Sequence, residues 1–568
     1  MKSIRNIISL FLVLVLAFVL LLCRCLYLQL FRTGYYSKIS AGQQGRLIQK
    51  PQRGAIVDCH GRVLAASNKL QTVFADPLII EGPEKVSARL AGLLDMDAVE
   101  IYTLISTSKN PRYVKIKAPV SKEVCEQVRK IRGIGVQSQW QRYYPTGPLV
   151  SHVTGFTGTD EKGLDGIELE YDRQLSGLSG RELFYTDGSL QRRPIRLMPG
   201  SSYPARGKGL ILTIDTTIQH FARTELLRQY ENLQAESAVA IVAEPQTGAV
   251  LAMVSVPDFE PNNVRKADAN SLRNRAIWET FEPGSLLKPV AAAIALDEGA
   301  VDTKEKIFCE QGNYRGKGFG RIGEYGNHSF GELTVREIIV HSSNIGMAKI
   351  GQRTGKEQLY RGLRLFGFGK KTGIELPGEA EGLVRPAEEW TGYSVTRIPF
   401  GQEISVTAIQ LVRAFCILAN GGKVVQPHIV KAVVDTNGEI IEQKRAGDSV
   451  GYVVKSEVAD WIITEAMTGV VNEGTGTKGK LKKWQVFGKT GTANIADTTG
   501  GGYSDSEYVA SFVGGAPAQQ PRVVVLVSIR KPNIRLGKGY TGGQIAAPVA
   551  AKIIEKTLNY LEKTAQRH

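Results

Sequence analysis

The residues near the N-terminus form an apolar run that few structures can accommodate. Within residues 7–23 the one polar side chain is Ser9. As a helix this run spans about 25 Å, near the lower limit for crossing a bilayer, and a spanning segment must satisfy its backbone hydrogen bonds internally. We therefore predict a cytoplasmic tail, residues 1–6, and a transmembrane anchor helix, residues 7–28.

The charges around the run indicate its orientation. Lys2 and Arg5 precede it, which places the tail on the cytoplasmic side, whereas Arg24 follows it and weakens that bias. A cleaved signal peptide is the alternative. The run is long for the apolar part of a signal peptide, and no small-x-small cleavage site follows it. The pattern favours an uncleaved single-pass anchor.

Length and composition limit the remaining possibilities. A chain of 568 residues is too long for one ordinary core. The net charge of +16 suits either nucleic acid or an anionic membrane surface. We find neither zinc-finger spacing nor a basic region followed by heptads, so no nucleic acid is expected. The six cysteines have no paired spacing. Cys23 and Cys25 lie at the membrane boundary, and the other four are predicted to be free or buried thiols. We expect no metal and no cofactor.

The chain divides into two regions after the anchor. Residues 29–205 are predicted to form a stalk and a β-rich domain, with a hairpin around the turn at residues 58–61. A basic stretch with proline and glycine, residues 191–209, is interpreted as a linker. Residues 206–568 form the second region.

Apolar runs in the second region alternate with turn signals. Residues 238–244 and 249–255 flank a Pro-Gln-Thr-Gly turn, and residues 508–514 and 523–529 form a similar pair. Helices are predicted at residues 216–230, with Thr216 or Thr217 as N-cap, and at residues 546–563. The pattern predicts an α+β domain in which helices pack on an antiparallel sheet.

Ser285 and Lys288 are spaced as a nucleophile and its base. Pro283 and Gly284 break the chain before Ser285, and Pro289 is tolerated only in a first helical turn, so a buried helix is predicted to begin near Ser285. Lys288 then lies on the same face, one turn on. Burial lowers a lysine pKa and favours the neutral amine that a base requires. The helix start also offers free N–H groups for an oxyanion.

Two further motifs follow in order. The first, Ser342-Ser343-Asn344, lies between two apolar helical stretches and is interpreted as a wall of a cleft, or alternatively as a pair of helix caps. The second, Lys489-Thr490-Gly491-Thr492, follows an alternating segment and is placed on a strand, where it can hold a carboxylate.

Each motif also occurs elsewhere in the chain. Similar patterns begin at Ser106, Ser108, Lys371 and Ser528. None of these lies on the kind of element that its role requires; the serine and lysine of 528–531, for example, point to opposite faces of a strand. The ordered set at 285, 342 and 489 therefore predicts one serine acyl-transfer site.

These motifs and their surroundings resemble the class B penicillin-binding proteins, the membrane-anchored D,D-transpeptidases that cross-link peptidoglycan. The resemblance also rests on Arg53-Gly54-x-Ile56-x-Asp58, Gly166-Ile167-Glu168, Ser255-x-Pro257 and Asn274-Arg275-Ala276. It implies an elongated pedestal domain at 29–205 and a transpeptidase domain at 206–568. Three positions depart from the family pattern: Cys59-His60, Leu286 and Glu403.

The resemblance implies a role for each site residue. Ser285 would attack the penultimate D-Ala carbonyl of a pentapeptide stem, Lys288 would take its proton, and Ser342 would relay a proton to the leaving amine. Asn344 would bind the donor amide and Lys489 would set the electrostatics. The carboxylate would be bound by the remaining residues of the strand motif, Thr490, Gly491 and Thr492.

Partners and location are implied in the same way. The expected substrates are peptidoglycan pentapeptide stems, and β-lactams should acylate Ser285. Asn344 and the stretch at 508–514 resemble the septal, FtsI-type branch. That implies a bacterial cytoplasmic membrane protein with a periplasmic catalytic domain, which engages a membrane glycosyltransferase of the shape/division family and other divisome proteins. An elongation-type transpeptidase, a β-lactam hydrolase or sensor, and a scaffold with a decayed site are the alternatives.

Overall fold

The structure is a computed structural model, which describes residues 2–42, 44–108, 110, 113–186, 194–197, 200–444, 451–496 and 502–566. The strands are β1 Gln44–Gln49, β2 Ile56–Val57, β3 Val63–Ala75, β4 Val114–Lys117, β5 Ile134–Tyr143, β6 Gly180–Thr186, β7 Pro194–Leu197, β8 Gly209–Leu212, β9 Ser237–Ala243, β10 Val250–Val256, β11 Thr280–Phe281, β12 Lys306–Phe308, β13 Asn313–Gly316, β14 Gly320–Gly323, β15 Glu332–Thr334, β16 Val406–Thr407, β17 Val430–Val434, β18 Ile440–Gln443, β19 Phe487–Ala496, β20 Tyr503–Ala516 and β21 Val523–Arg530.

The α-helices are mostly short, apart from the first and the last. They are α1 Lys2–Phe31, α2 Thr33–Gly42, α3 Pro83–Leu94, α4 Ala98–Thr107, α5 Lys122–Val128, α6 Ser151–Thr154, α7 Gly166–Glu170, α8 Asp172–Leu175, α9 Thr216–Leu233, α10 Arg275–Trp278, α11 Lys288–Asp297, α12 Val335–Val340, α13 Asn344–Thr354, α14 Lys356–Phe366, α15 Gly392–Arg397, α16 Ala408–Ala419, α17 Ser456–Trp461, α18 Thr468–Asn472 and α19 Ala547–Ala565.

Helix α1 contains the predicted anchor. Its residues 3–31 form, within the described part of the chain, the one helix that is long and apolar enough to cross a membrane. It is longer than the predicted 7–28 because the flanking polar residues continue the same helix.

The chain forms two compact units, and the region predicted at 29–205 contributes residues to both. The first contains residues 1–52, 68–141 and 177–206, and the second contains residues 53–67, 142–176 and 207–568. In the first unit, helices α3, α4 and α5 bury Leu90, Ile101 and Val128 together with Val73 of β3. The interpretation of residues 191–209 as a linker was wrong in part, because β7 pairs with β6. Residues 191–193 and 198–199 lie outside the described residues.

The second unit is built on a five-stranded sheet of order β10-β9-β21-β20-β19, in which every pair is antiparallel. Its strands are buried on both faces. Alternate residues such as Ala240 and Val527 pack with α9 and α19, whereas Ile241 and Leu526 belong to the core that contains α11 and α16. The predicted antiparallel sheet with helices packed on it is confirmed, and β19 forms one edge.

Helix α9 corrects one detail of the prediction. Its N-cap is Asp215 and not Thr216 or Thr217, since the Asp215 carboxylate accepts hydrogen bonds from the N–H groups of Thr217 and Ile218. The hairpin predicted around residues 58–61 is present, because β2 and β3 pair antiparallel on either side of that turn.

Candidate active site

Ser285 lies on a short 3-10 turn, Gly284–Leu287, that runs directly into α11. Pro289 occupies the first turn of α11, as its missing N–H requires. Gly284 and Gly401 both have positive φ, and a Cβ on Gly401 would lie 2.1 Å from the Gly284 carbonyl oxygen. Glycine is therefore required at 401 for the chain to support the backbone beside the nucleophile.

Ser342 and Ser343 lie between α12 and α13, and Asn344 is the first residue of α13. Ser343 is the N-cap of α13 and accepts a hydrogen bond from the Gly346 N–H at 2.9 Å. Ser342 has a φ of +60°, a strained conformation for a serine. Both interpretations of this motif are thus correct in part, because Ser343 caps a helix while Ser342 and Asn344 line the cleft.

The strand motif lies on the edge strand β19. Thr490 and Thr492 line the cleft, whereas Lys489 is fully buried. A Cβ on Gly491 would lie 2.8 Å from Leu286 Cγ, so glycine lets the strand approach the turn that carries Ser285.

Two lysines meet at the hydroxyl of Ser342. Lys288 Nζ lies 3.1 Å from Ser342 Oγ and 2.8 Å from Asn344 Oδ1, and it also donates to the Ser342 carbonyl. Lys489 Nζ lies 3.0 Å from the same Oγ and 3.0 Å from the Thr490 carbonyl. The structure therefore brings together the three motifs that the sequence predicts. Within the described residues Lys288 makes no hydrogen bond to the Ser285 hydroxyl.

Burial lowers the pKa of both lysines. Desolvation lowers the pKa of Lys288 to about 7, against the attraction of Glu324, which raises it. Desolvation, followed by the charge of Lys288, lowers the pKa of Lys489 well below its ordinary value. The pair titrates as a coupled unit because both amines contact one oxygen.

Glu324 is a site residue that sequence reasoning missed. Its buried carboxylate accepts hydrogen bonds from the Ser343 hydroxyl at 2.5 Å and from the Asn344 N–H at 2.6 Å. It thereby satisfies free donors at the start of α13 and fixes the turn that carries Ser342. No local motif marks it, since it follows a short strand in an irregular segment.

The cleft has a volume of about 380 Å³. Its rim includes Glu282, whose carboxylate accepts from the Tyr503 hydroxyl at 2.9 Å and from the Glu403 N–H at 3.0 Å. Burial raises the pKa of Glu282. Glu403, which departs from the family pattern, has a φ of +61° and pairs with Arg385 at 2.9 Å. Glu403 therefore supports the rim through Glu282 and leaves the three motifs in place.

The competing motifs lie elsewhere. Thr372 of the second Lys-Thr-Gly is held by Glu379 at 2.6 Å in a loop. Ser528 bonds Ser511 at 2.9 Å inside the sheet, and Lys531 pairs with Glu507 at 3.1 Å. Ser106 lies on α4, and its Lys109 is outside the described residues.

Comparison with known families and proteins agrees with this geometry. Residues 238–555 match the family described as "Penicillin binding protein transpeptidase domain", and residues 48–210 match "Penicillin-binding Protein dimerisation domain". The first match covers more than half of the chain and includes all three motifs.

Individual relatives extend over most of the chain. Stage V sporulation protein D of Bacillus subtilis is 34% identical over 90% of this chain and 78% of its own length. The peptidoglycan D,D-transpeptidase FtsI of Escherichia coli is 30% identical over 88% of this chain and 82% of its own length. A crystal structure of penicillin-binding protein 3 from Mycobacterium tuberculosis with aztreonam has a TM-score of 0.70 and 27% identity, and the match covers 91% of this chain and 97% of that one. Together, the two family matches and these relatives show that the chain belongs to the class B penicillin-binding proteins.

Proposed function

We propose that this protein is a peptidoglycan D,D-transpeptidase that works through an acyl-enzyme on Ser285. The observation that carries the proposal is the convergence of Lys288 and Lys489 on the Ser342 hydroxyl, in a cleft that Ser285 also lines. A nucleophile, a base with a lowered pKa and a relay hydroxyl are the parts that serine acyl transfer requires.

Acylation begins with proton transfer from Ser285 to Lys288. Neutral Lys288 takes the hydroxyl proton as Ser285 Oγ attacks the penultimate D-Ala carbonyl of a stem peptide. Lys288 also contacts Ser342 Oγ, so the proton passes through that hydroxyl to the leaving amine. The peptide bond breaks, an ester to Ser285 forms, and D-Ala leaves with the proton.

The two lysines divide one positive charge between them. Two ammonium groups beside one buried hydroxyl repel each other strongly. This repulsion favours the state in which one lysine is an ammonium and the other is a neutral amine. A substrate carboxylate bound at Thr490 and Thr492 attracts that proton to Lys489, because Lys489 is anchored on the same strand. Substrate binding would thus leave Lys288 neutral as the base.

The edge strand supplies the groups that hold the substrate. The hydroxyls of Thr490 and Thr492 face the cleft and are oriented by contacts to Thr475 at 2.6 Å and to the Gly542 N–H at 3.1 Å. A stem peptide can extend the sheet along β19. The N–H groups of Ser285 and Thr492 form the oxyanion hole in this proposal, a contribution of about 3–4 kcal/mol per donor.

Deacylation uses an amine from a second stem. Its nitrogen attacks the ester carbonyl and loses a proton to Ser342, which passes a proton to Lys288. Lys288 delivers a proton to the departing Ser285 oxygen, the ester bond breaks, and the new amide bond cross-links the two stems. The Asn344 side chain donates to the Gly323 carbonyl at 3.1 Å and accepts from Lys288, so its amide is held beside the base. The other N–H of the Asn344 amide can donate a hydrogen bond to the stem peptide that acylates Ser285.

We place the enzyme in septal cell-wall synthesis. The relation to FtsI supports this role, and the apolar helix α1 supports a single membrane span with the N-terminus in the cytoplasm and the catalytic domain outside. A membrane glycosyltransferase of the shape/division family and other divisome proteins are the partners of this proposal.

The relation to Stage V sporulation protein D favours a second cellular role, wall synthesis in sporulation. A tagged copy imaged in dividing and in sporulating cells separates the two.

Turnover of defined substrates tests the enzymatic proposal. The full chain in detergent is incubated with a synthetic pentapeptide stem and an acceptor amine, and free D-Ala and the cross-linked product are measured by mass spectrometry. We expect both products from wild type and from Ser106→Ala, a control at the exposed serine on α4, and neither from Ser285→Ala. Release of D-Ala with water as the sole acceptor would indicate a hydrolase, and equal turnover by Ser285→Ala would refute the proposal.

A further inference from the structure

Cys59 and His60, which depart from the family pattern, lie beside Asp215, and all three side chains are of types that can bind a metal ion. Cys59 and His60 follow Asp58 in the turn between β2 and β3, and Asp215 is the N-cap of α9. Their ligand atoms, a sulfur, an imidazole nitrogen and a carboxylate oxygen, all lie within 4.8 Å of one another. This cluster belongs to the second compact unit and is separate from the Ser285 cleft.

The backbone around the cluster is fixed. The Asp58 carboxylate accepts hydrogen bonds from the N–H groups of His60 and Arg62, both at 2.9 Å, and the Cys59 N–H donates to the Ile214 carbonyl at 3.0 Å. The turn is therefore held against the residue that precedes Asp215. A site with a fixed backbone loses little freedom when a ligand binds.

One oxygen of the Asp215 carboxylate faces His60, and the other already accepts two hydrogen bonds. Oδ1 accepts from Arg62 at 2.8 Å and from the Thr217 N–H at 2.8 Å. Oδ2 lies 2.9 Å from His60 Nε2. The contacts to Oδ1 orient the carboxylate as the outer partners of a metal ligand do.

The spacing suits a small tetrahedral cation. Zinc bound to sulfur, nitrogen and oxygen places neighbouring ligand atoms about 3.4–3.6 Å apart. The distance between His60 Nε2 and Asp215 Oδ2 is shorter than this range, at 2.9 Å, and all three ligand atoms lie within 4.8 Å of one another. Cys59, His60 and Asp215 also line a cavity of about 550 Å³, which has room for water as a fourth ligand.

We propose that Cys59, His60 and Asp215 bind one divalent transition-metal ion of the zinc type. A thiolate and an imidazole select such an ion over magnesium or calcium, which prefer oxygen ligands. Binding displaces the thiol proton of Cys59 to solvent and replaces the hydrogen bond between His60 and Asp215. The ion would join the β2–β3 turn to the start of α9. It is a site that the sequence motifs did not predict.

Metal titration of the full chain tests the proposal. Cys23 and Cys25, two neighbouring exposed thiols, are first replaced by serine so that they cannot bind the probe. Zinc is titrated against a chromophoric chelator, and cobalt is titrated in parallel because a thiolate–cobalt bond gives a charge-transfer band. We expect one ion per chain and a thiolate band that Cys59→Ser abolishes. His60→Asn should lower zinc affinity by at least about tenfold, since even outer partners of a metal ligand contribute about 10- to 100-fold.

Two control variants separate this site from general binding. Cys125→Ser removes a cysteine from the first unit, and His220→Gln removes an exposed histidine one turn along α9; neither should change affinity or spectrum. Penicillin labelling shows whether each variant is folded. If labelled Cys59→Ser binds zinc as tightly as its parent, if cobalt binds without a thiolate band, or if no ion binds, the proposal is refuted.

Discussion

Two buried clusters of charged residues in the second unit differ in how their charges are compensated. In one, Arg53 and Arg142 bracket the carboxylate of Glu168 at 2.6 and 2.5 Å, and Arg53 also pairs with Asp172 at 2.6 Å. In the other, Lys288 and Lys489 share one serine hydroxyl. The first balances two cations with two anions. The second places two amines together, and no carboxylate of the residues that the structure describes is in contact with either.

The pKa values follow this difference. Burial lowers the pKa of Arg53, but Glu168 and Asp172 more than offset it, so the net shift is upward. Burial lowers the pKa of Lys288 to about 7, and Glu324 offsets it in part. A compensated cluster keeps its charges and holds structure together, whereas an uncompensated one gives up a proton near neutral pH and can perform acid–base chemistry.

Removing the base should cause the largest change in activity. In Lys288→Met the side chain fills the same buried space but cannot accept a proton, so we expect the second-order rate constant of penicillin acylation to fall by about 10²- to 10⁴-fold. Stopped-flow labelling measures this constant. Lys531→Met, which alters the lysine of a competing motif, should leave it unchanged. A loss below tenfold in Lys288→Met would show that another group is the base.

Removing the shared carboxylate should instead affect stability. In Glu168→Ala both arginines remain buried without their main partner, and we expect the free energy of unfolding to fall by about 3–5 kcal/mol. Urea denaturation followed by tryptophan fluorescence measures it. Glu170→Ala, an exposed carboxylate on the same helix, is the control and should have little effect. A similar stability for both variants would mean that the arginine cluster does not hold the fold.

The pH dependence of acylation in wild type should report the titration of the lysine cluster, since the arginine cluster keeps its charges. Since Lys288 must be neutral to act, the acylation rate should fall about tenfold per pH unit below a midpoint near 7. Glu324→Gln removes an attraction that raises the pKa of Lys288, so the midpoint should move to lower pH, by about one unit or less. Rates measured in constant-ionic-strength buffers test both. A shift to higher pH would contradict the assigned effect of Glu324.

Sequence reasoning identified the elements of the site because strong local signals mark them. Pro283, Gly284 and Pro289 define the helix start at Ser285, and the alternating strand before Lys489 separates it from the loop copy at Lys371. Local pattern also predicted the antiparallel sheet, since two apolar pairs flank clear turns.

The missed features depend on contacts distant in sequence. Glu324 caps α13 from 20 residues away from Asn344, and Gly401 supports Gly284 across the fold. Pro194 is the first residue of β7, where the missing N–H of proline does not interrupt the strand pairing. A stretch with the composition of a linker therefore pairs with β6. The Asp215 cap was missed because the threonines that follow it are also residues of a capping type.

Mapping the acylated residue tests the central claim most directly. The full chain is labelled with a penicillin, digested and sequenced by tandem mass spectrometry. The account predicts the penicilloyl group on Ser285 alone, with Ser106, Ser342 and Ser528 unmodified. Label on any of these other serines, or no covalent label on a folded chain, would contradict the assignment of the acyl-transfer site to the cleft where the two lysines meet.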